Sequence, residues 1–149
     1  MILALDLGTK TGWAFSHPHG IESGTKNLSI KKGQGSGERF LNFRRWLECF
    51  DRPDSVFYEE VRNHKGTQAA HVYGGMVAIL MMWCEENKVS YSGVPVGTIK
   101  KHATSRGDAS KTMMIIAARN LGFDPCDDNE ADAIHILNYA MKGGIRGAR

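Results

Sequence analysis

Asp6 closes one short apolar run, Glu59 and Glu60 close another, and Asp128 and Asp132 stand one helical turn apart far along the chain. Asn129, three residues before Asp132, shares that face and offers a neutral oxygen. Carboxylates gathered from such remote segments repel one another, and each holds its proton more tightly unless a cation keeps the group charged. Oxygen-only ligation, with no paired Cys or His, selects Mg²⁺ or Mn²⁺ rather than zinc. Two such ions about 3.5–4 Å apart can activate a water and stabilise the leaving oxygen of a phosphodiester. Hydrolysis of a nucleic-acid backbone is therefore the chemistry expected. Each acid also has an ordinary role open to it: Asp128 as a helix N-cap, Glu60 as a solvated strand end, Asp132 as a partner of the helix dipole. Asp6 is harder to explain that way, because an unpaired carboxylate ending a hydrophobic strand is costly to bury.

For these groups to meet, the segments that carry them must be neighbours in one sheet. Ile2 to Leu7 is almost continuously apolar and stops at Gly8, the mark of a buried strand. Gly12 to Ser16 follows through a Gly8-Thr9-Lys10-Thr11 turn as the second arm of a hairpin, and alternation through Ile21, Gly24, Leu28 and Ile30 predicts a third strand. Beyond the Gly-rich link at 33–37, Phe40, Leu41, Phe43, Trp46, Leu47 and Phe50 recur at helical spacing and predict a helix ending near Asp51, ahead of Pro53. Ser55 to Val61 is a fourth strand. A long helix runs from Gly66 to Asn87, and Val89 to Val94 is a fifth strand stopped by Pro95. Lys100 and Lys101 fall on a short helical or looped piece, and Arg106 to Ser110 is a polar turn. Ser110 caps a helix ended at Gly122, and a last helix runs from about Asp128 to Met141. This order predicts an α/β domain whose early strands are antiparallel and whose later ones are joined by helical crossovers. Strands one and four side by side would place Asp6 next to Glu59 or Glu60.

With 149 residues, 42% hydrophobic and a net charge of only +3, the chain fits one domain and excludes a disordered one. Its longest apolar run, Met76 to Cys84, is far shorter than a membrane span. The start lacks a basic leader, so a cytoplasmic location is expected. Cys49, Cys84 and Cys126 are odd in number and widely spaced, which fits neither a disulfide framework nor a zinc site, and all are expected to be buried free thiols. Trp13 and Trp46 read as core. Basic residues recur at Lys31-Lys32, Arg44-Arg45, Lys100-Lys101, Arg106 and Lys111, an arrangement of acidic centre and basic surround.

The ordered motifs resemble the RuvC-like Holliday junction resolvases of the RNase H-like nuclease superfamily, phage-encoded members above all. Leu5-Asp6-Leu7-Gly8-Thr9 is similar to their first-strand motif, whose Asp is a metal ligand. Tyr58-Glu59-Glu60-Val61 is similar to the second, which assigns the ligand to Glu59 rather than Glu60. The segment with Lys100 and Lys111 resembles the one whose two lysines assist catalysis and grip the scissile phosphate, and Asn129 to Ala133 resembles the final acidic helix, ending in Asp132. The likeness extends to about Met141. It implies an RNase H-like fold, with a central mixed five-stranded sheet flanked by helices over residues 1–141 and a basic flexible tail at 142–149. It implies two Mg²⁺ ions per site, replaceable by Mn²⁺, held by Asp6, Glu59, Asp128 and Asp132, and no small-molecule cofactor. Many relatives carry an acid where this chain has Asn129, so either Asp128 takes over as ligand or Asn129 coordinates weakly, and Asp128 is favoured. Where bacterial relatives probe the junction core with an aromatic, this chain has Arg62.

The partner implied is branched DNA, gripped by Lys100, Lys101, Arg106 and Lys111 with Arg62, His64 and Lys65 near the junction core. A homodimer is implied too, through the long helix and its face of Ala70, Tyr73, Gly74 and Val77, because a junction has two-fold symmetry. His64 and His71 flank the start of that helix as either proton shuttles or surface residues. For a phage protein the location is the host cytoplasm. Two other readings stand beside paired incision of four-way DNA: a YqgF-type RNA-processing nuclease, and a junction-binding protein that has lost activity at Asn129.

Overall fold

The computed structural model describes residues 1–64 and 66–143. Its strands are β1 (Ile2–Asp6), β2 (Lys10–His17), β3 (Gly20–Asn27), β4 (Ser55–Glu60) and β5 (Ser90–Pro95), with helices α1 (Gly37–Leu47), α2 (Thr67–Asn87), α3 (Val96–Thr104), α4 (Lys111–Asn120) and α5 (Asp128–Met141). They form one sheet in the order β3-β2-β1-β4-β5. β1 is antiparallel to β2, and β2 to β3, while β1, β4 and β5 are parallel. This is the mixed five-stranded α/β architecture expected from the sequence. The parallel pairing of β1 with β4 sets Leu5 opposite Tyr58, so Asp6 and Glu59 leave the sheet at the same edge.

Alternation along the central strands divides the interior in two. Leu3 and Leu5 of β1, Val56 and Tyr58 of β4 and Phe15 of β2 join Phe43, Leu47, Leu80 and Trp83 of α1 and α2. Ala4, Ala14, Phe57 and Val94 point the other way, against Ile99, Met114, Ala118 and α5. The residues on the α5 side of β1 and β2 are small, and this lets α5 lie close. A Cβ added at Gly12 would fall 1.9 Å from the Asn129 carbonyl oxygen. Gly12 is also the residue paired with Asp6 in the β1–β2 register, so the strand that ends in Asp6 and the start of α5 are pressed together at that point.

Several boundaries differ from the sequence expectation. α1 stops at Leu47, and Cys49 and Phe50 continue only as turns with their N–H groups on Trp46 and Leu47 carbonyls. β3 stops at Asn27, and Leu28 turns inward to donate its N–H to the Thr9 carbonyl at 2.8 Å. β5 extends through Pro95, which faces Glu60 at the last ladder position, where a missing N–H costs little. Pro95 also precedes α3, so the ambiguous piece carrying Lys100 is helical. Only Cys84 is buried. Cys49 and Cys126 are exposed, contrary to expectation, because each lies in a turn outside the packed helices. Trp13 and Trp46 pack against the core, with their rings edge-on 6.4 Å apart. No helix among the described residues is long and apolar enough to cross a membrane. Lys65 and the tail from residue 144 onward lie outside the described residues.

Candidate active site

β1 and β4 each release a carboxylate at the same end of the sheet, and α5 brings a third across them. The Asp6 and Glu59 side chains are hydrogen-bonded to one another. Burial, and then the charge of Glu59, hold the Asp6 carboxyl well above the usual carboxylate range. Burial raises Glu59 too, offset by Asp6 and by the Lys100 ammonium. The two therefore share a proton, with Asp6 as donor. Asp132 is pushed up to about 7 by burial and then by the charges of Glu59 and Asp128, against the pull of Lys100 and Lys111. Its Oδ1 is buried with no hydrogen-bond partner among the described residues. An enclosed anionic oxygen without a donor is costly.

Asp128 opens α5 and is ion-paired with Lys111, the first residue of α4. Lys111 is exposed, and its ammonium is held above its ordinary range by Asp128 first and by Asp132 and Asp6 further off. Lys100, on α3, reaches the same field from the β5 side. Asp6, Glu59, Asp132, Asp128, Lys100 and Lys111 thus meet in one place.

Asn129 does not present its side chain to this cluster. Its amide supports Asp127, and its carbonyl is the group that crowds Gly12. The N-cap of α5 is Asp127, not Asp128: Asp127 Oδ1 accepts from the Glu130 N–H at 2.9 Å and from the Thr25 hydroxyl at 2.6 Å. Asp128 is thereby left free of the capping role.

The remaining basic residues spread outward. Arg106 is exposed and forks onto Asp108 at 3.1 and 3.2 Å, and Lys101 is exposed on α3. Arg62 is exposed and pairs with Glu60 at 3.3 Å. The His64 ring lies 4.7 Å from that of Tyr73, while His71 is exposed.

Two supports were not read from the sequence. Tyr73 donates its hydroxyl to the Glu59 carbonyl at 2.8 Å and accepts the Val61 N–H at 3.1 Å, which ties the end of β4 to α2. Its phenol is spent inside its own chain rather than standing free on a helix face. Thr11, fully buried, donates to the Gly8 carbonyl at 2.8 Å and closes the turn after Asp6. A hydroxyl three residues after a strand-ending glycine was the available signal.

The donor set fits a hard divalent cation: carboxylate oxygens only, mutually repelling, one of them buried without a partner. Among the described residues no three His, Cys, Asp or Glu side chains already converge as a finished ligand set. Asp6 and Glu59 are hydrogen-bonded to each other and Asp128 is turned to Lys111.

No family model and no curated protein matches the chain. Solved structures do. RuvC of Thermus thermophilus in complex with a Holliday junction substrate superposes with a TM-score of 0.75 at 20% identity, over 95% of this chain and 95% of that one. A second Thermus thermophilus RuvC structure gives 0.72 at 21% identity, over 95% and 96%. The yeast mitochondrial Holliday junction resolvase Ydc2 gives 0.61 at 13% identity, over 95% and 78%. With TM-scores of 0.75 and 0.72 and near-complete mutual coverage by the two RuvC structures, the five-stranded mixed sheet and its flanking helices have the RuvC fold, of the RNase H-like type.

Proposed function

We propose that this protein is a divalent-metal-dependent endonuclease that resolves four-way and other branched DNA by paired incisions, as a phage-type resolvase. The observation that carries this reading is the convergence of Asp6, Glu59 and Asp132 from three remote segments, with Asp132 Oδ1 buried and unpaired among the described residues. The fold shared with a RuvC solved in complex with a Holliday junction substrate supports the choice of substrate.

Asp6, Glu59 and Asp132 would hold Mg²⁺ or Mn²⁺, with Asp128 joining them when it leaves Lys111. Two such ions, when bound, supply an activated water and charge neutralisation for phosphodiester hydrolysis. The protein's own part is positional. The hydrogen-bonded pair of Asp6 and Glu59 must lose its shared proton before both carboxylates can act as ligands. Lys111, released by Asp128, and Lys100 then stand ready to pair with the phosphate flanking the cut, where a cation stabilises developing negative charge. Lys101 and Arg106 would extend the basic surround along the DNA arms, with Arg62 and His64 near the junction core.

A C2 dimer matches the two-fold junction and places two such sites on one substrate. An exposed apolar surface farther along α2 than Ala70 and Gly74 supports this reading. Leu41 and Met82 are 52% and 59% exposed, and with Phe40 and Ile79 they border an apolar cavity of about 410 Å³ between α1 and α2.

The deciding experiment incubates the protein with end-labelled four-way DNA, a matched linear duplex and an RNA hairpin, each with Mg²⁺, with Mn²⁺ and with EDTA. Symmetric nicks in the junction alone, lost in EDTA, are expected. Cutting of the hairpin instead, or binding without any cutting, overturns the proposal.

A further inference from the structure

We propose that the cavity between the β1–β2 turn, α1 and the start of α2 receives one unstacked nucleobase of the strand being cut, and that it favours guanine. This rests on the nuclease reading above and adds a specificity pocket to it. The cavity measures about 370 Å³, within the range that holds a small planar ligand. Its place ties it to the carboxylates. Leu7, in its wall, directly follows Asp6, and Tyr73, also in its wall, is the residue hydrogen-bonded to the Glu59 carbonyl. Leu7 and Tyr73 belong to the α1–α2 face of the sheet, whereas Asp6 alternates with Leu7 and turns toward α5, so an occupant sits at the same end of the sheet as the acidic cluster and on its other face.

The lining has the chemistry of a base site. Leu7 and Val72 supply an apolar floor, and the rings of His64 and Tyr73, tilted 46° to each other, supply an aromatic side. His64 Nε2 is enclosed with no hydrogen-bond partner among the described residues. Arg39 donates its Nε to the Leu28 carbonyl at 3.2 Å, which steadies the guanidinium and leaves its terminal nitrogens as a pair of donors. Gln68 adds an amide at the rim. No acidic side chain lines the cavity among the described residues, so a cation is not its ligand. An apolar floor suits a flat ring better than a phosphate, whose oxygens it would leave unpaired. Among the bases, guanine presents O6 and N7 as two adjacent acceptors for an arginine fork. The N1–H and N2–H of the same base suit the Gln68 carbonyl. Enzymes that work on nucleic acids hold extruded bases between aromatic and apolar side chains and read their edges in this way.

The test uses four-way junctions identical except at the nucleotide flanking the incision: guanine, each other base, 7-deazaguanine or an abasic site. Cutting is read in Mg²⁺ and binding in Ca²⁺. For the unaltered protein, guanine is expected to exceed the abasic site about tenfold in both readouts, with 7-deazaguanine between them, a span typical of one bidentate base contact. In Arg39→Ala and Gln68→Ala that ratio is expected to collapse toward one. Each ratio compares two substrates with one preparation, so partial misfolding of a variant does not alter it. Equal cutting and binding of all junctions, or variants that keep the full guanine preference, overturns the pocket while leaving the nuclease reading intact. A protein that cuts nothing with any metal, yet binds guanine junctions tenfold better than abasic ones, overturns the nuclease reading and supports the pocket.

Discussion

Two sets of carboxylates flank the start of α5, and the protein treats them in opposite ways. Asp127 and Glu130 have their oxygens satisfied. The Thr25 hydroxyl and Glu130 N–H serve Asp127, while the Ser23 hydroxyl at 2.7 Å and the Cys126 N–H at 2.8 Å serve Glu130. Burial pulls both upward, but these donors outweigh it and hold both below the usual carboxylate range. Asp6, Glu59 and Asp132 are held above that range, and Asp132 keeps one buried oxygen without a donor among the described residues. The same residue types on neighbouring turns thus do different work. The satisfied pair fastens α5 to β3, and the unsatisfied set stores a repulsion that only a proton or a cation relieves. A carboxylate that the fold has not satisfied is the better guide to chemistry than a carboxylate that is merely buried.

The sharpest way to test that contrast is Asp6→Asn. Junction cutting is expected to fall about a thousandfold, the scale on which loss of one charge-stabilising group acts. In EDTA, at a pH high enough to strip the shared proton, the same variant should melt at a higher temperature than the unaltered protein, because its amide still donates to Glu59 where two carboxylates would repel. Full cutting, or a lower melting temperature in EDTA, breaks the distinction.

The next effect is on pH dependence. Asp132 has a folded-state pKa of about 7, above its unfolded value, so the folded protein binds that proton more tightly. Its stabilising contribution is complete below the unfolded carboxylate range and is lost as pH rises through about 7. Melting in EDTA should therefore weaken between pH 5 and pH 8. Asp132→Asn should reduce this slope, with the remainder coming from Asp6 and Glu59, which are raised too, and saturating Mg²⁺ should flatten it. Asp127 and Glu130, with lowered values, act in the other direction: their contribution is present above the unfolded range and fades as pH falls through their folded values. A slope unchanged in Asp132→Asn would place its origin elsewhere.

Smaller still is Asp127→Ala, which removes a cap with two donors and should lower stability by about 1 kcal/mol in urea unfolding. Its sign is opposite to that of Asp6→Asn, and agreement in sign would erase the contrast. Last comes Tyr73→Phe, which deletes the hydroxyl that ties the Glu59 carbonyl to α2. About 1 kcal/mol of stability is expected to go, with a modest fall in cutting as β4 loosens at its end. No change in either would show that Glu59 needs no anchor.

Much of this was legible in the residues. Continuous apolar runs ending in acids gave β1 and β4, and setting the two side by side brought Asp6 and Glu59 or Glu60 together on paper, while the parallel pairing itself is visible only in the fold. The start of α5 was harder. Asp127 and Asp128 are adjacent and equally able to cap, and only the hydroxyl of Thr25, over a hundred positions earlier in the chain, decides between them. Asn129 looked like a ligand for the same reason, and its orientation depends on Asp127. Tyr73 sat on an apolar helical stripe, where a phenol looks like packing, and nothing local says that its oxygen reaches a strand end. The Cys49 and Cys126 thiols were misplaced because composition speaks to average burial, whereas these two lie in turns. His135 is fully buried between Ile134 and Ile136, with its ring 2.9 Å from the Met114 carbonyl, and a lone histidine in that stripe carries no sequence signal of its partner.

Gly12 carries one more consequence. With its α-carbon against the Asn129 carbonyl, it acts as a thickness gauge between sheet and helix, and the separation of Asp6 from Asp132 is machined by the absence of a single methyl group. A bore of that kind has a narrow tolerance. Ions of different radius should then be sorted by how far α5 can lift from the sheet, and the smallest side chain added at this position would open the gap for larger ones.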